Sequence, residues 1–290
     1  MPETKILPVS NYLSLVKFSH TIFAMPFAII GFLLAIKAGY YYNWISLLLV
    51  VLCMVFTRNA AMAFNRYIDR KIDEANPRTK SREIPLGIIS PSSALLFVII
   101  NSILFSTTTF FINKICFFLS PLALLIVLGY SYTKRFTWLC HVVLGTGLAL
   151  APIGAYLAMS GKFAILPLLL SFAVLFWVSG FDVIYALQDE DFDRSQRLRS
   201  IPVFLGKKNA LLLSSLFHAA TTILIIIFGI TGSFGVWYWV GAGLFISLLI
   251  YQHTLVKPND LNKVNIAFFT TNGIASVLFA VFFILDSWLK

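Results

Sequence analysis

The sequence predicts an all-α, polytopic membrane protein of nine transmembrane helices, and three observations carry that expectation. Of 290 residues, 59% are hydrophobic and 12% charged, against a charged share of about a quarter in soluble domains. The mean hydropathy is +0.87. The apolar residues form unbroken runs of roughly the 20 residues a helix needs to cross hydrocarbon, without the alternating polarity of a membrane β-barrel.

The first run covers about 22 to 38 and ends at Lys37, and the second covers about 44 to 65 and ends at Arg66. A third, about 92 to 112, meets Lys114, where its boundary with the fourth, about 115 to 132, is soft. The fourth ends at Lys134-Arg135, and the fifth, about 139 to 159, ends before Lys162. The sixth, about 163 to 185, runs into an acidic segment. The seventh, about 210 to 230, follows Lys207-Lys208, the eighth, about 235 to 254, stops before Lys257, and the ninth covers about 265 to 288. With the N-terminus inside, 17 of the 22 Lys and Arg fall in inner segments, four (Lys37, Lys114, Lys162, Lys290) outside, and Arg58 inside a helix. Positive loops stay cytoplasmic, so this asymmetry supports the nine spans and places the motif loops, about 66 to 91 and 186 to 209, in the cytoplasm.

A net charge of +10 does not point to nucleic acid, because the basic residues are scattered through short loops with no aromatic-studded basic domain. Cys53, Cys116 and Cys140 lie in or beside apolar runs without paired metal spacing and read as packing residues. The first apolar run starts about twenty residues in and passes into a longer membrane pattern, so it reads as a retained span and not as a cleaved signal. His20, His141, His218 and His253 have no ligand partner at helical spacing and read as packing residues.

Acid is gathered: nine of the twelve Asp and Glu fall in two regions. One holds Asn65-x-x-x-Asp69-x-x-x-Asp73, and the other Tyr185-x-x-Gln188-Asp189-x-x-x-Asp193. Residues four apart share a helix face, so each copy presents a pair of carboxylates to one point. Unpaired they repel, and a divalent cation shared with a polyphosphate would relieve the repulsion. Either cluster alone could equally be a solvated face paired with Arg66, Arg70, Lys71, Arg194 or Arg197; the recurrence favours a site. Asp69 and Asp189 stand 120 residues apart, which suggests one domain over 1–290 built from a four-helix pseudo-repeat (about 10–132 and 139–254) plus a ninth helix.

Arg58 lies seven residues before Asn65, two turns deeper on the same face, and an intramembrane arginine points to function because of its desolvation cost. Its guanidinium fork suits the carboxylate of a small acid. Tyr130, Lys134 and Arg135 close the fourth span; Lys134 and Arg135, like Arg78 and Arg82, could neutralise a departing diphosphate or simply anchor the inner face. Some of the 28 phenylalanines could line a tunnel for an apolar chain.

At these residues the chain resembles the UbiA superfamily of membrane aromatic prenyltransferases and looks most like its 4-hydroxybenzoate polyprenyltransferase branch. The stretches that carry the likeness run from Arg58-Asn59-Ala60-Ala61 to Asp73, then Arg78-Thr79 and Arg82, Tyr130 with Lys134-Arg135-Phe136-Thr137, and Asp182-Val183-Ile184-Tyr185 to Asp193. The resemblance implies a nine-helix bundle around a central cavity, capped by the two motif loops and open laterally to lipid. It implies that Asn65, Asp69 and Asp73 form the first Mg²⁺-diphosphate motif and Asp189 and Asp193 the second, with Asp182, Tyr185 and Gln188 in the same signature. By the same likeness Arg58 falls where the aromatic acid's carboxylate binds, and Tyr130 and Lys134 where the diphosphate is held. Five positions depart from the pattern: Ser131 for a frequent Pro, Cys140-His141 for Pro-Gln, Arg66 for Asp and Arg197 for Gly.

The expected reaction is Mg²⁺-dependent transfer of a polyprenyl group from its diphosphate to a ring carbon of an aromatic acid, with lipid as the surroundings and the bacterial inner membrane as the location. 4-Hydroxybenzoate, on a ubiquinone route, is the first expectation for the acceptor; a dihydroxynaphthoate on a menaquinone route is the nearest alternative, and porphyrin or chlorin acceptors stand further off. The other class is a cation-coupled transporter, which would more often hold its acids near the bilayer midplane than at helix ends beside basic loops.

Overall fold

A computed structural model describes residues 9–16, 23–41 and 43–289; His20 and the start of the first expected span lie outside them. The helices are α1 (Val9–Leu15), α2 (Met25–Lys37), α3 (Trp44–Ala75), α4 (Pro91–Ile112), α5 (Lys114–Thr133), α6 (Cys140–Ser160), α7 (Ile165–Ala186), α8 (Glu190–Ser195), α9 (Ile201–Thr231), α10 (Val236–Leu255) and α11 (Asn272–Leu289). A 3₁₀ turn, Leu187–Asp189, joins α7 to α8, and a π-helical turn, Ile266–Thr271, leads into α11. Among the described residues no strand forms apart from an isolated Lys257–Asp260 bridge.

Polar residues start four of these helices. Asn43 accepts a hydrogen bond from the Ser46 amide at α3, Ser90 from Ser93 at α4, Asn113 from Cys116 at α5 and Ser200 from Val203 at α9. Each satisfies an amide that has no partner within its own helix.

The membrane architecture agrees with the sequence, and the count of nine spans is not confirmed among the described residues. Each of the nine expected runs is helical, but seven of the described helices are long and apolar enough to cross a membrane. At 13 residues α2 is too short, and α10, which carries Gln252 and His253 in its last turn, is not among the seven. The second helix also outlasts its apolar run: α3 continues to Ala75, so the stretch 66–75 expected in a loop is helical and the whole first motif rides on one rigid element. The second motif loop is likewise partly helical, containing α8 and the start of α9. Gly206, at φ 73°, interrupts α9 near the place where its apolar run begins, in a backbone conformation that glycine adopts at little cost. Arg197 takes the same left-handed region at φ 55°, which explains why glycine suits that position.

In lipid, helices gain little from hiding apolar surface, so close backbone approach and interhelical hydrogen bonds hold the bundle together. A Cβ on Gly31 of α2 would sit 2.1 Å from the Pro152 carbonyl oxygen of α6, and one on Gly145 of α6 would sit 2.5 Å from both the Leu175 carbonyl oxygen and Ser179 Oγ of α7. Ser214 Oγ donates to the Gly180 carbonyl at 2.7 Å, tying α9 to α7, and Asn113 Nδ2 donates to the Leu157 carbonyl at 2.9 Å, tying α5 to α6. A buried aromatic cluster including Phe27, Trp177, Phe245 and Phe279 locks α2, α7, α10 and α11. Trp177 keeps its indole N–H satisfied on Asn272 at 3.0 Å. That side of the bundle is solid. On the other side α3, α4, α5, α6 and α7 part to enclose a chamber of about 950 Å³.

Candidate active site

The chamber is polar at the end where both acidic motifs lie and apolar along its length. Asp69 and Asp73 come from the last turns of α3, Asp189 from the 3₁₀ turn and Asp193 from α8, and all four line the same space. Arg58, Asn65, Arg78, Arg82, Tyr130, Lys134, Asp182 and Tyr185 line it too. Gln188 does not: its side chain turns back to donate to the Tyr185 carbonyl at 3.1 Å, because the 3₁₀ turn breaks the helical face that its spacing implied. Arg135 is not in the lining either, but it reaches the site through Asp69.

Each of the four aspartates carries its own basic partner. Arg135 Nη2 donates to Asp69 Oδ1 at 2.9 Å and Arg82 Nη1 to Asp73 Oδ1 at 2.6 Å. Arg78 clamps Asp189 with Nε on Oδ1 at 2.9 Å and Nη2 on Oδ2 at 2.5 Å, and Lys134 Nζ reaches Asp193 Oδ2 at 3.0 Å. These are the residues that the sequence offered for a diphosphate, and two of the alternative partners serve elsewhere. Arg194 pairs with Glu190, and Arg70 donates to the Tyr67 carbonyl. Two pairs cross between chain halves, since Arg78 follows α3 and Lys134 follows α5 while their aspartates follow α7.

The basic side chains are fixed in turn. Tyr185 accepts from Arg78 Nη1 at 2.8 Å and lies under its guanidinium at 5.1 Å, while stacking on Phe268 at 4.1 Å. Burial pushes the Lys134 ammonium down, and Asp193, Cys140 and Asp189 together outweigh that effect, so it stands above the usual lysine range. Arg78 follows the same pattern: burial acts against its charge and the bonds to Asp189 more than restore it.

Asn65 donates to Asp69 Oδ2 at 3.0 Å, which leaves its carbonyl oxygen for a cation, and Asp73 Oδ2 is buried with no hydrogen-bond partner. Among the described residues no three acidic, histidine or cysteine side chains converge on one point. The donor set therefore fits an ion held by one or two carboxylates, with the remaining ligands from phosphate and water, which is the coordination that Mg²⁺ prefers.

Several lining residues were not legible as site residues. Asn76 donates to Asp189 Oδ1 at 3.3 Å, and Arg66, at 6% exposure, turns toward the chamber with Nε unpartnered. His141, expected to be a packing residue, lies in the wall with Nδ1 2.7 Å from Asp182 Oδ2. That partner is 41 residues away, so helical spacing could not show it. His218 and His253, also expected to be isolated, bond to each other at 2.8 Å. Cys53, Cys116 and Cys140 are free thiols, and all three border the chamber. Phe105, Phe163, Phe181, Phe192, Phe268 and Phe269 are among the phenylalanines that line it.

The fold and chamber define an integral membrane protein in which buried carboxylates and matched cations guard the mouth of an apolar cavity. The chain belongs to the UbiA prenyltransferase family, whose pattern it matches over residues 24–274, and it is an enzyme of that class, a prenyltransferase. It is 32% identical to the 4-hydroxybenzoate octaprenyltransferase of Tolumonas auensis over 81% of this chain and 82% of that protein, and 28% identical to the enzyme of the same name from Aliivibrio fischeri over 82% of each. Its structure is similar to that of a UbiA homolog from Aeropyrum pernix K1, with a TM-score of 0.84, 34% identity and coverage of 92% of this chain and 98% of that one. A UbiA homolog from Archaeoglobus fulgidus bound to DMAPP and Mg²⁺ shares the fold at a TM-score of 0.74 and 22% identity, over 97% of this chain and 100% of that one.

Proposed function

We propose that the protein transfers a polyprenyl group from polyprenyl diphosphate to a ring carbon of a small aromatic acid, with 4-hydroxybenzoate as the first acceptor, and that it does so with Mg²⁺. The observation that carries this reading is the one-to-one matching of four chamber aspartates with Arg135, Arg82, Arg78 and Lys134 at the head of an apolar cavity. That arrangement suits a ligand with an anionic head and a long hydrocarbon tail. The relatives named for 4-hydroxybenzoate prenylation support the choice of acceptor.

Asn65, Asp69 and Asp73 on one side, and Asp189 and Asp193 on the other, would hold the metal. When bound, Mg²⁺ neutralises charge on the diphosphate and makes it a better leaving group. The chain's own cations do the same from fixed positions: Arg78, Arg82, Lys134 and Arg135 need only exchange a carboxylate for a phosphate oxygen, so little reorganisation accompanies bond cleavage. Tyr130 borders this end of the chamber and lies ready to donate its hydroxyl to the same head group. Arg58, deeper on α3, offers its fork to the acceptor's carboxylate. The apolar walls keep water from the allylic carbon as it becomes cation-like, so the electron-rich ring position beside the phenol oxygen attacks in its place. The product is a lipid and leaves sideways into the bilayer. We read the chain as one domain of the bacterial inner membrane, with the N-terminus and both motifs facing the cytoplasm.

Membranes containing the protein, incubated with Mg²⁺, a prenyl diphosphate and each candidate acid in turn, should form a C-prenylated 4-hydroxybenzoate. Preference for a dihydroxynaphthoate would move the enzyme to the other quinone route, and failure to prenylate any ring would refute the reading.

A further inference from the structure

Arg66, in the chamber wall, lacks a carboxylate of its own among the described residues. It is 6% exposed and borders the cavity. Its Nε is enclosed without a hydrogen-bond partner. The terminal nitrogens Nη1 and Nη2 also donate to none of the described residues, yet they are not among the enclosed atoms, so they are the part of the guanidinium that opens to the chamber. At the same end Arg78 is engaged with Asp189, Arg82 with Asp73, Lys134 with Asp193 and Arg135 with Asp69.

The acids within electrostatic reach of Arg66 are Asp73 and Glu83. Asp73 accepts from Arg82 at 2.6 Å. Glu83 accepts from the Ser14 hydroxyl through one oxygen and leaves the other buried without a partner. Among the described residues neither carboxylate lies within ion-pair distance of Arg66. The helix fixes where the unpaired fork stands: Arg66 is seven residues before Asp73, two turns deeper on nearly the same face of α3. It therefore belongs to the polar head of the chamber, beside Tyr130, whose hydroxyl feels its charge. A cation enclosed without an anion is costly, and packing alone gives no reason to keep an arginine there.

We propose that Arg66 is the first anchor of the diphosphate: its Nη1 and Nη2 donate to phosphate oxygens directly, so the head group docks without waiting for Mg²⁺. This rests on the prenyl diphosphate reading above and names the residue of that site that acts before the metal. Arg78, Arg82, Lys134 and Arg135 each have to release a carboxylate before taking a phosphate oxygen, whereas Arg66 releases nothing. Without metal the four carboxylates hold those cations and repel the diphosphate, which leaves the metal-free affinity to Arg66. With the carboxylates neutralised on Mg²⁺, the other four cations join it. Arg66 also stands at a departure from the family pattern, where Asp is common, so a position that elsewhere carries an acid here carries a donor to the anion itself.

The test measures binding and not turnover. The full chain in detergent is titrated calorimetrically with farnesyl thiodiphosphate, in EDTA and again with Mg²⁺. Wild type is expected to bind in EDTA, and more tightly with Mg²⁺. Arg66→Gln should bind roughly ten- to a hundredfold more weakly in EDTA, the worth of hydrogen bonds to a charged group, with a smaller loss in Mg²⁺. Arg66→Lys keeps a cation in the same enclosed place, which guards against a variant that fails to fold; lacking the planar fork, it should show a smaller but measurable loss in EDTA. If wild type binds with Mg²⁺ but not in EDTA, or if either variant binds in EDTA as tightly as wild type, the assignment of Arg66 falls while the diphosphate reading stands. If wild type binds in neither condition, the diphosphate reading falls with it.

Discussion

Arg78 grips Asp189 through two parallel hydrogen bonds, Nε to Oδ1 at 2.9 Å and Nη2 to Oδ2 at 2.5 Å, across 111 residues of sequence. A planar fork makes this contact and an ammonium cannot. Arg78→Lys should therefore keep the charge yet raise the KM for prenyl diphosphate and lower kcat/KM by about tenfold, equivalent to about 1–2 kcal/mol once the partial exposure of the arginine is discounted. Steady-state kinetics with varied prenyl diphosphate check this. An unchanged KM would make the clamp a structural strut only.

Arg82 neutralises an aspartate that is almost wholly enclosed, the side chains being 21% and 6% exposed. Arg82→Ala strands that charge, and the thermal stability in detergent should fall by an amount equivalent to about 3 kcal/mol. Adding Asp73→Asn to the same protein should recover part of the loss. If the double variant is no more stable than the single, burial of charge is not the cause.

Much of this site is legible in the amino-acid sequence alone, and the reason is chemical. Carboxylates and an arginine are expensive in an apolar chain, so Asp69, Asp73, Asp189, Asp193 and Arg58 stand out wherever they fall. Their spacing of four places Asp69 and Asp73 on one face of α3, whereas Asp189 and Asp193 fall on the 3₁₀ turn and on α8. What the sequence could not carry is pairing at a distance: Arg78 with Asp189, Lys134 with Asp193 and His141 with Asp182 meet only because α3, α5, α6 and α7 converge. Hydropathy also ends a helix where polarity begins, whereas α3 runs on for ten residues beyond Asn65 as a polar helix, and the 3₁₀ turn at Leu187–Asp189 removes Gln188 from the face its spacing assigned it.

Gly145 marks where α6 and α7 touch. Gly145→Ala would place a methyl 2.5 Å from a backbone oxygen that cannot rotate away. The gain of a better helix former, about 1 kcal/mol, is outweighed by overpacking of about 1–3 kcal/mol, so the variant should melt at lower temperature than wild type. Equal or higher melting would show that the helices part without cost.

Arg58 lines the chamber on α3 two turns below Asn65. Arg58→Ala should raise the KM for the aromatic acid about tenfold or more while leaving the KM for prenyl diphosphate close to wild type, as loss of uniform binding to one substrate predicts. Kinetics with each substrate varied separately check it, and an unchanged acid KM would remove Arg58 from that role.

The central claim is that the two acidic motifs act together, through Mg²⁺, on one diphosphate. The most direct measurement is the Mg²⁺ dependence of product formation from prenyl diphosphate and 4-hydroxybenzoate by wild type, Asp69→Ala and Asp193→Ala in membranes, with the product followed by mass spectrometry. Wild type should form product with Mg²⁺ and none with the metal chelated, and either single variant, one from each motif, should abolish turnover. Product formed at wild-type rates by both variants, or undiminished after chelation, would contradict the account.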